Sequence, residues 1–501
     1  MMDFFGIPAY ILFPLGLFLA FYLYMTRNYG YWKNRGIPEV PPRFLVGSIG
    51  WNIKCHQGKQ EQEWYNKYGK IFGIYEGPYP TLLIADPELI KAVFVKDFHY
   101  FSAQRNFRFG NRILDRGVFM QTGERWKQLR SMMSPSFTSG KLRLMDNSVD
   151  DCCQTFINNI IEESEGGKEV DINKYKFEIS IERSSSAADF ASSSALSFNL
   201  VPIRAFVQFK GNRVRRVSKV ILMYVIIFAV LFPAVARLVR LAVFDPQSLD
   251  FFKLVIDDVI NKRKLLKKDE IPRDFLQLLL EAIENQENKT EKFDLEDVVS
   301  QCVTFFVAGY FGPTLTLSYS VHELAVNPDI QEKLINEVDE TIKKSGGLNY
   351  DSVSEMKYLN AFVQEVLRKY PPGVRLERRV VEDHELGDTG IVVEKGTIIG
   401  VPVYALNHDP KYFPDPDKLD PERFLSDKSN MLPFTNFSFG VGPRNCIGMR
   451  FALMEVKMAL AKTLQHLRFK PGINTKKEPE LLLARGFNRP KHVYLKIELR
   501  K

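Results

Sequence analysis

A single cysteine near the C-terminus is presented as a metal ligand with no other thiol or imidazole to share the task. It lies in Phe439-Gly440-Val441-Gly442-Pro443-Arg444-Asn445-Cys446-Ile447-Gly448, and the nearest His or Cys is as far away as His466. Zinc and iron–sulfur sites need companion ligands at short spacing, so this pattern argues against both. One axial thiolate suits haem iron. Gly442 permits a tight hairpin, and Gly448 lets backbone approach a flat macrocycle where a side chain would collide. The run from Met449 to Val456 reads as a helix, which puts Cys446 at a helix N-terminus, where amide donors and the dipole favour a thiolate. The alternative for an isolated cysteine is a buried structural role beside a Gly-rich turn.

The complete spacing, Phe439-x-x-Gly442-x-Arg444-x-Cys446-x-Gly448, resembles the haem-binding signature of the cytochromes P450. By that resemblance the cofactor is a thiolate-ligated haem b with Cys446 as its iron ligand. Phe439 then packs on the thiolate, and Arg444 pairs with a haem propionate. The implied fold is mainly α with small β-sheets, the cytochrome P450 fold with an N-terminal transmembrane helix. Other segments agree over roughly residues 35–182 and 245–500. Glu365 and Arg368 share a helical face, Tyr370-Pro371-Pro372 ends that helix, and Pro421-Glu422-Arg423-Phe424 follows further on. The family uses such a Glu365–Arg368–Arg423 set as a buried scaffold behind the haem, where two guanidiniums satisfy one carboxylate. Trp126 and Arg130, four apart, and Arg378 match further cofactor-binding positions.

The chain of 501 residues is 45% hydrophobic and contains no Gly/Ser linker or repeat, so one large domain is expected. Five cysteines, with Cys152 and Cys153 adjacent, make no plausible disulfide framework and point to a reducing, cytosol-facing location. Residues Phe4 to Met25 carry no charge, and a helix of that length reaches about 33 Å, enough to cross a bilayer core. Arg27, Lys33 and Arg35 follow, which predicts a short luminal N-terminus and a cytosolic body. A cleaved signal peptide would be shorter, with a small-residue cleavage site. The reading divides the chain into 1–26, an anchor; 27–44, a basic, Pro-rich hinge; and 45–501, the catalytic domain. The location implied is the endoplasmic reticulum membrane, single-pass.

A second greasy run, Val220 to Ala236, follows a basic approach from Arg204 to Lys219. Its position resembles the membrane-dipping lip of microsomal P450s, and an ordinary buried helix is the competing reading. Residues 183–219, which include that basic approach, depart from the family's pattern, with a Ser/Ala-rich stretch where a buried helix is expected. The net charge of +8 has no nucleic-acid motif beside it. It suits electron supply: the resemblance implies an acidic NADPH–cytochrome P450 reductase as partner, with cytochrome b5 as a second donor. Arg125 and Lys127 are candidates for the docking face.

Asp294 to Asn327 predicts one long helix, with Asp294 and Asp297 as capping signals and Asn327-Pro328 as the stop. Its middle reads Ala308-Gly309-Tyr310-Phe311-Gly312-Pro313-Thr314-Leu315-Thr316. Monooxygenases of the family usually carry an acid and a threonine at positions 311 and 312 to relay protons to the reacting oxygen. Phe311 and Gly312 can do neither. In one account, Pro313 leaves the Gly309 carbonyl without its helical partner, so that it holds a water, and Thr316 donates a hydroxyl. Lipophilic small molecules are then oxidised with O2. In the other, the haem isomerises or dehydrates a peroxide substrate, as in thromboxane-synthase-like P450s, which also lack the threonine. A weakly active haem-binding protein or sensor is the non-enzymatic alternative. Phe107, Phe109, Phe119, Phe305 and Phe306 suggest an aromatic, lipophilic pocket, though aromatics at helical spacing also make plain core.

Overall fold

The computed structural model describes residues 9–48, 55–105, 111–173, 246–267, 271, 274–285, 292–425, 434–482 and 486–500. The atypical stretch 183–219, the apolar run 220–236, Phe107 and Phe109 lie outside them. The longer helices are α1 (Ala9–Thr26), α2 (Gln57–Tyr68), α3 (Gly123–Met133), α4 (Asp146–Glu163) and α5 (Pro246–Arg263). They continue with α6 (Phe275–Glu284), α7 (Leu295–Val326), α8 (Pro328–Ser345), α9 (Lys357–Lys369) and α10 (Met449–His466). The strands are β1 (Ile71–Glu76), β2 (Tyr79–Ile84), β3 (Val170–Asp171), β4 (Leu376–Arg379), β5 (His384–Glu385), β6 (Val392–Val393), β7 (Ile398–Val401), β8 (Leu467–Lys470) and β9 (Tyr494–Leu499). Helix dominates and the sheets are small, as expected.

Local chemistry sets the helix ends. Asp294 accepts from the Asp297 amide while the Asp297 carboxylate accepts from the Asp294 amide, a reciprocal cap at the start of α7. Pro328 then occupies the first turn of α8, and Gly346, in the left-handed region, ends it. Helix α7 contains 32 residues, about 48 Å at helical rise, and stays helical through Pro313. It is long and apolar enough to cross a membrane, but it buries Gln301, Ser318, Ser320, His322 and Glu323 inside the protein. It is therefore the central core helix, packed with α9 and α10 around Val303, Leu324, Phe362 and Leu460.

A second core lies at the main sheet, whose order is β1-β2-β7-β4, with β2 and β7 parallel and the other neighbours antiparallel. Trp32, Tyr75, Phe94 and Ile399 are buried there. Trp32 comes from the basic segment after α1, and its ring lies against Gly73 so closely that a methyl at that position would overlap it. The Tyr75 hydroxyl donates to Glu39 at 2.6 Å, and Ile37 and Val40 are also buried. The segment between α1 and the body is thus fastened to the sheet.

Helix α1 presents the opposite surface. Phe13, Leu15, Leu17, Phe18, Leu19 and Leu23 are each more than half exposed, an apolar surface suited to lipid and costly in water. All five cysteines are free thiols, in keeping with the reading of Cys152 and Cys153.

Candidate functional site

Gly442 has φ +74°, and an added Cβ would run into the Phe94 carbonyl, so the turn needs glycine for both its conformation and its packing. The Asn445 amide donates to the Gly442 carbonyl at 3.0 Å, and the Cys446 amide donates to the Phe439 carbonyl at 2.8 Å. These bonds close the loop and set Cys446 just ahead of α10, whose N-cap is Gly448. The thiol faces a cavity of about 740 Å³ that Phe439, Arg444 and Gly448 also line. Burial pushes the Cys446 thiol up, while the Gly448 amide and the Arg130 charge pull it back down.

Three guanidiniums converge on the same cavity from distant parts of the chain: Arg130 on α3, Arg378 on β4, and Arg444 two residues before the cysteine. Arg130 is held by Asn445, donating to its carbonyl at 2.9 Å and its side-chain oxygen at 2.8 Å. Arg444 donates to the Gln121 carbonyl at 2.7 Å and lies over the Trp126 ring at 4.2 Å. Arg378 lies over Phe94 and donates to the Glu377 carbonyl. The Nε atoms of Arg378 and Arg444 are buried without a hydrogen-bond partner among the described residues. Burial, with Arg378 and Arg130 nearby, lowers Arg444 to about 9, and burial alone lowers Arg378 to about 10. A group of buried cations short of acceptors calls for anionic carboxylates.

A flat macrocycle with two carboxylates, laid across the thiol, fits this donor set. The haem dimethyl ester, lacking those charges, is expected to bind roughly 10-fold to 100-fold more weakly for each propionate charge removed, at about 1.5–3 kcal/mol for each charged hydrogen bond. Titration of haem-free protein with haem and with its ester measures the difference, and equal affinities would reject the assignment.

The scaffold residues also come together. Arg368 grips Glu365 through two bonds of 2.7 and 2.9 Å, and both side chains are wholly buried. Its remaining donors reach the Asn407 and Pro416 carbonyls, each at 2.7 Å. Arg423 approaches more loosely, with its Nε 3.4 Å from Glu365 and its Nη2 on the Asp415 carbonyl.

The opposite wall is formed by α7, with Ala308, Gly309, Gly312, Pro313 and Thr316 lining the cavity. Phe311 instead meets Phe487 edge-on at 4.6 Å. The free hydroxyl donor expected at Thr316 is not available in this arrangement, because its Oγ1 donates to the Gly312 carbonyl at 3.0 Å. Serine and threonine on a helix commonly turn back to the preceding turn in this way. Arg125 is likewise no free docking charge: it pairs with Asp297 at 2.6 Å and ties α3 to the start of α7. Lys127 remains on the surface beside Glu124. Phe119 lines the cavity, and Phe305 does so while also packing against Phe137 and Phe275.

Beyond the reach of sequence spacing lies a charged cluster that also lines the cavity. Arg375 pairs with Glu61, Glu76 and Glu377, and Arg105 pairs with Glu76 and Glu377. Its only local sign is the charged run Arg375-Leu376-Glu377-Arg378 at the start of β4, a half-buried strand.

The sequence model of the family described as cytochrome P450 matches residues 38–496. Cytochrome P450 3A41 of Mus musculus is 36% identical over 490 residues, covering 96% of this chain and 95% of the relative. Cytochrome P450 3A5 of Homo sapiens is 34% identical over 505 residues, covering 99% and 97%. Cytochrome P450 3A2 of Rattus norvegicus is 36% identical over 452 residues, covering 89% and 88%. With the cysteine loop, the arginine-lined cavity and the buried Glu365–Arg368 pair in one fold, these matches over nearly the whole length show that the chain belongs to the cytochrome P450 family.

Proposed function

We propose that this P450 oxidises lipophilic small molecules, foreign compounds among them, with O2 and electrons from an NADPH-dependent reductase, cytochrome b5 serving as a second donor. The observation that carries this reading is the cavity: it joins a lone thiol to a predominantly apolar wall from α7 and the Phe487 loop. The family's cofactor is a thiolate-ligated haem b, and bound there it supplies O–O cleavage favoured by the thiolate's electron density. Cys446 would ligate the iron, with Trp126, Arg130, Arg378 and Arg444 around the propionates and Phe439 and Gly448 along the ring. Phe305 and Phe119 would orient an apolar substrate and exclude water. We place the protein in the endoplasmic reticulum membrane, with α1 as a single anchor and the body in the cytosol.

Proton supply is the weak step. Pro313 has no N–H to give to the Gly309 carbonyl, so that oxygen is left to hold a water at the cavity wall. Thr316 can accept a bond from such a water while its own proton stays on Gly312. Oxidation is then slow, and reducing equivalents leak to hydrogen peroxide.

A Cβ built on Gly312 meets no atom of another element within 4 Å, so the position has room for the first carbon of a side chain and Gly312→Thr can be made. Because a positioned proton donor is typically worth about 100-fold or more in rate, this variant is expected to raise the ratio of oxidised product to hydrogen peroxide by up to roughly that factor. Hydrogen peroxide release falls in parallel. The same assay tests the reading as a whole: hydroxylated product that depends strictly on NADPH and reductase supports it. Turnover of an organic endoperoxide without reductase would replace it with the isomerase reading, which the missing acid–threonine pair favours.

A further inference from the structure

Behind the cavity wall two phenols are stacked face to face. The rings of Tyr319 on α7 and Tyr370 at the end of α9 are 4.1 Å apart between centroids, with planes 2° apart. Tyr319 is completely buried and Tyr370 nearly so. The Tyr370 hydroxyl donates to Glu323 Oε1 at 2.5 Å, and Lys369 Nζ holds the same oxygen at 2.8 Å. The Tyr319 hydroxyl donates to the side-chain oxygen of Asn488 at 3.2 Å. Neither ring lines the cavity, but chain neighbours of the pair do: Thr316 one turn before Tyr319, Leu367 and Pro372 on either side of Tyr370, and Phe487 next to Asn488.

Packing alone would ask for two rings and no hydroxyls. A buried hydroxyl must be satisfied, and here one is satisfied by a carboxylate, an unusual partner to bring into a core. Burial, reinforced by Glu323, holds the Tyr370 phenol well above its ordinary value. It therefore stays protonated, and the phenol can lose an electron easily only if its proton leaves at the same time. Glu323 is positioned to take that proton, and the parallel stack lets the two rings share the electron hole.

We propose that Tyr319 and Tyr370 form a redox-active pair that drains unspent oxidising equivalents from the cavity, with Glu323 as the proton acceptor. The role suits a site whose Phe311 and Gly312 supply no proton and so leave oxidant unused. With an organic hydroperoxide as oxidant, each event removes one electron from the stack and breaks the Tyr370 O–H bond. The proton moves to Glu323 Oε1, and a neutral phenoxyl radical remains. A one-electron reductant of the ascorbate class returns the electron, and the phenol recovers its proton from Glu323. Two such cycles balance one hydroperoxide, cleaved to an alcohol and water, against two ascorbate monoanions converted to ascorbyl radicals.

The proposal depends on haem binding and not on the identity of the substrate. The full-length haem-loaded protein is mixed with cumene hydroperoxide without reductase, freeze-quenched, and read by electron paramagnetic resonance. A tyrosyl radical is expected, formed more slowly in deuterated water, and removed by ascorbate. Tyr370→Phe keeps the ring in the stack, so its ferrous–CO spectrum should match the wild type. Its radical signal should fall at least severalfold, and its haem should bleach severalfold faster. Tyr319→Phe should fall between the two. A wild-type protein with no tyrosyl signal, or a Tyr370→Phe protein with an undiminished one, overturns the proposal. Absence of the deuterium effect overturns the role of Glu323.

Discussion

Replacing Cys446 by serine is expected to abolish the thiolate-type ferrous–CO band and to lower NADPH-dependent oxidation by at least roughly 100-fold, the upper range seen when even supporting groups of a metal site are removed. The side chain faces the cavity and fills no core position, so a change of one atom leaves the loop intact. The bonds that close that loop run from backbone amides of Asn445 and Cys446, which serine retains. Haem should still enter, because Arg130, Arg378 and Arg444 remain in place for its carboxylates. The expected result is thus a folded, coloured and inactive protein. Thiolate-type spectra or undiminished turnover in Cys446→Ser would show that another residue is the ligand.

Arg368→Leu should act on folding instead. It strips Glu365 of its bidentate partner at a position with no solvent exposure, leaving a buried carboxylate with only the looser Arg423 contact and the Asp420 amide. Breaking such a pair costs about 3–5 kcal/mol, a large share of the roughly 5–15 kcal/mol that holds an ordinary protein together. It also frees the Asn407 and Pro416 carbonyls from their donor and removes the guanidinium over the Phe413 ring. Chemical denaturation should show the midpoint shifted down, with haem lost at lower denaturant. The double change Glu365→Gln with Arg368→Met should recover part of the loss, since it removes the stranded charge. If Arg368→Leu is as stable as wild type, the pair is not a structural element.

The two substitutions differ in how much of their outcome could be anticipated from residue order. The Cys446 loop, the α7 boundaries and the Glu365–Arg368 spacing are local features. Each depends on groups within a few residues of one another, where helical periodicity, caps and turn geometry act directly. The apolar run that becomes α1 is equally local, because length and absence of charge are enough to mark it.

Other features depend on packing between distant segments. Arg130, Arg378 and Arg444 meet only because α3, β4 and the cysteine loop are brought to one cavity. The docking charge anticipated at Arg125 is spent on Asp297, a partner far along the chain. Thr316 turns its hydroxyl to Gly312, a choice between solvent, cavity and backbone that spacing cannot rank. The Tyr319–Tyr370 stack and the cluster around Arg375 likewise join residues from separate elements. Sequence by itself marked the cysteine loop, the long helix and the Phe311-Gly312-Pro313 departure from the family's pattern, since each is written in contiguous residues. The tertiary structure decided which charges face the cavity and which are neutralised, because burial and partnership belong to the packed whole.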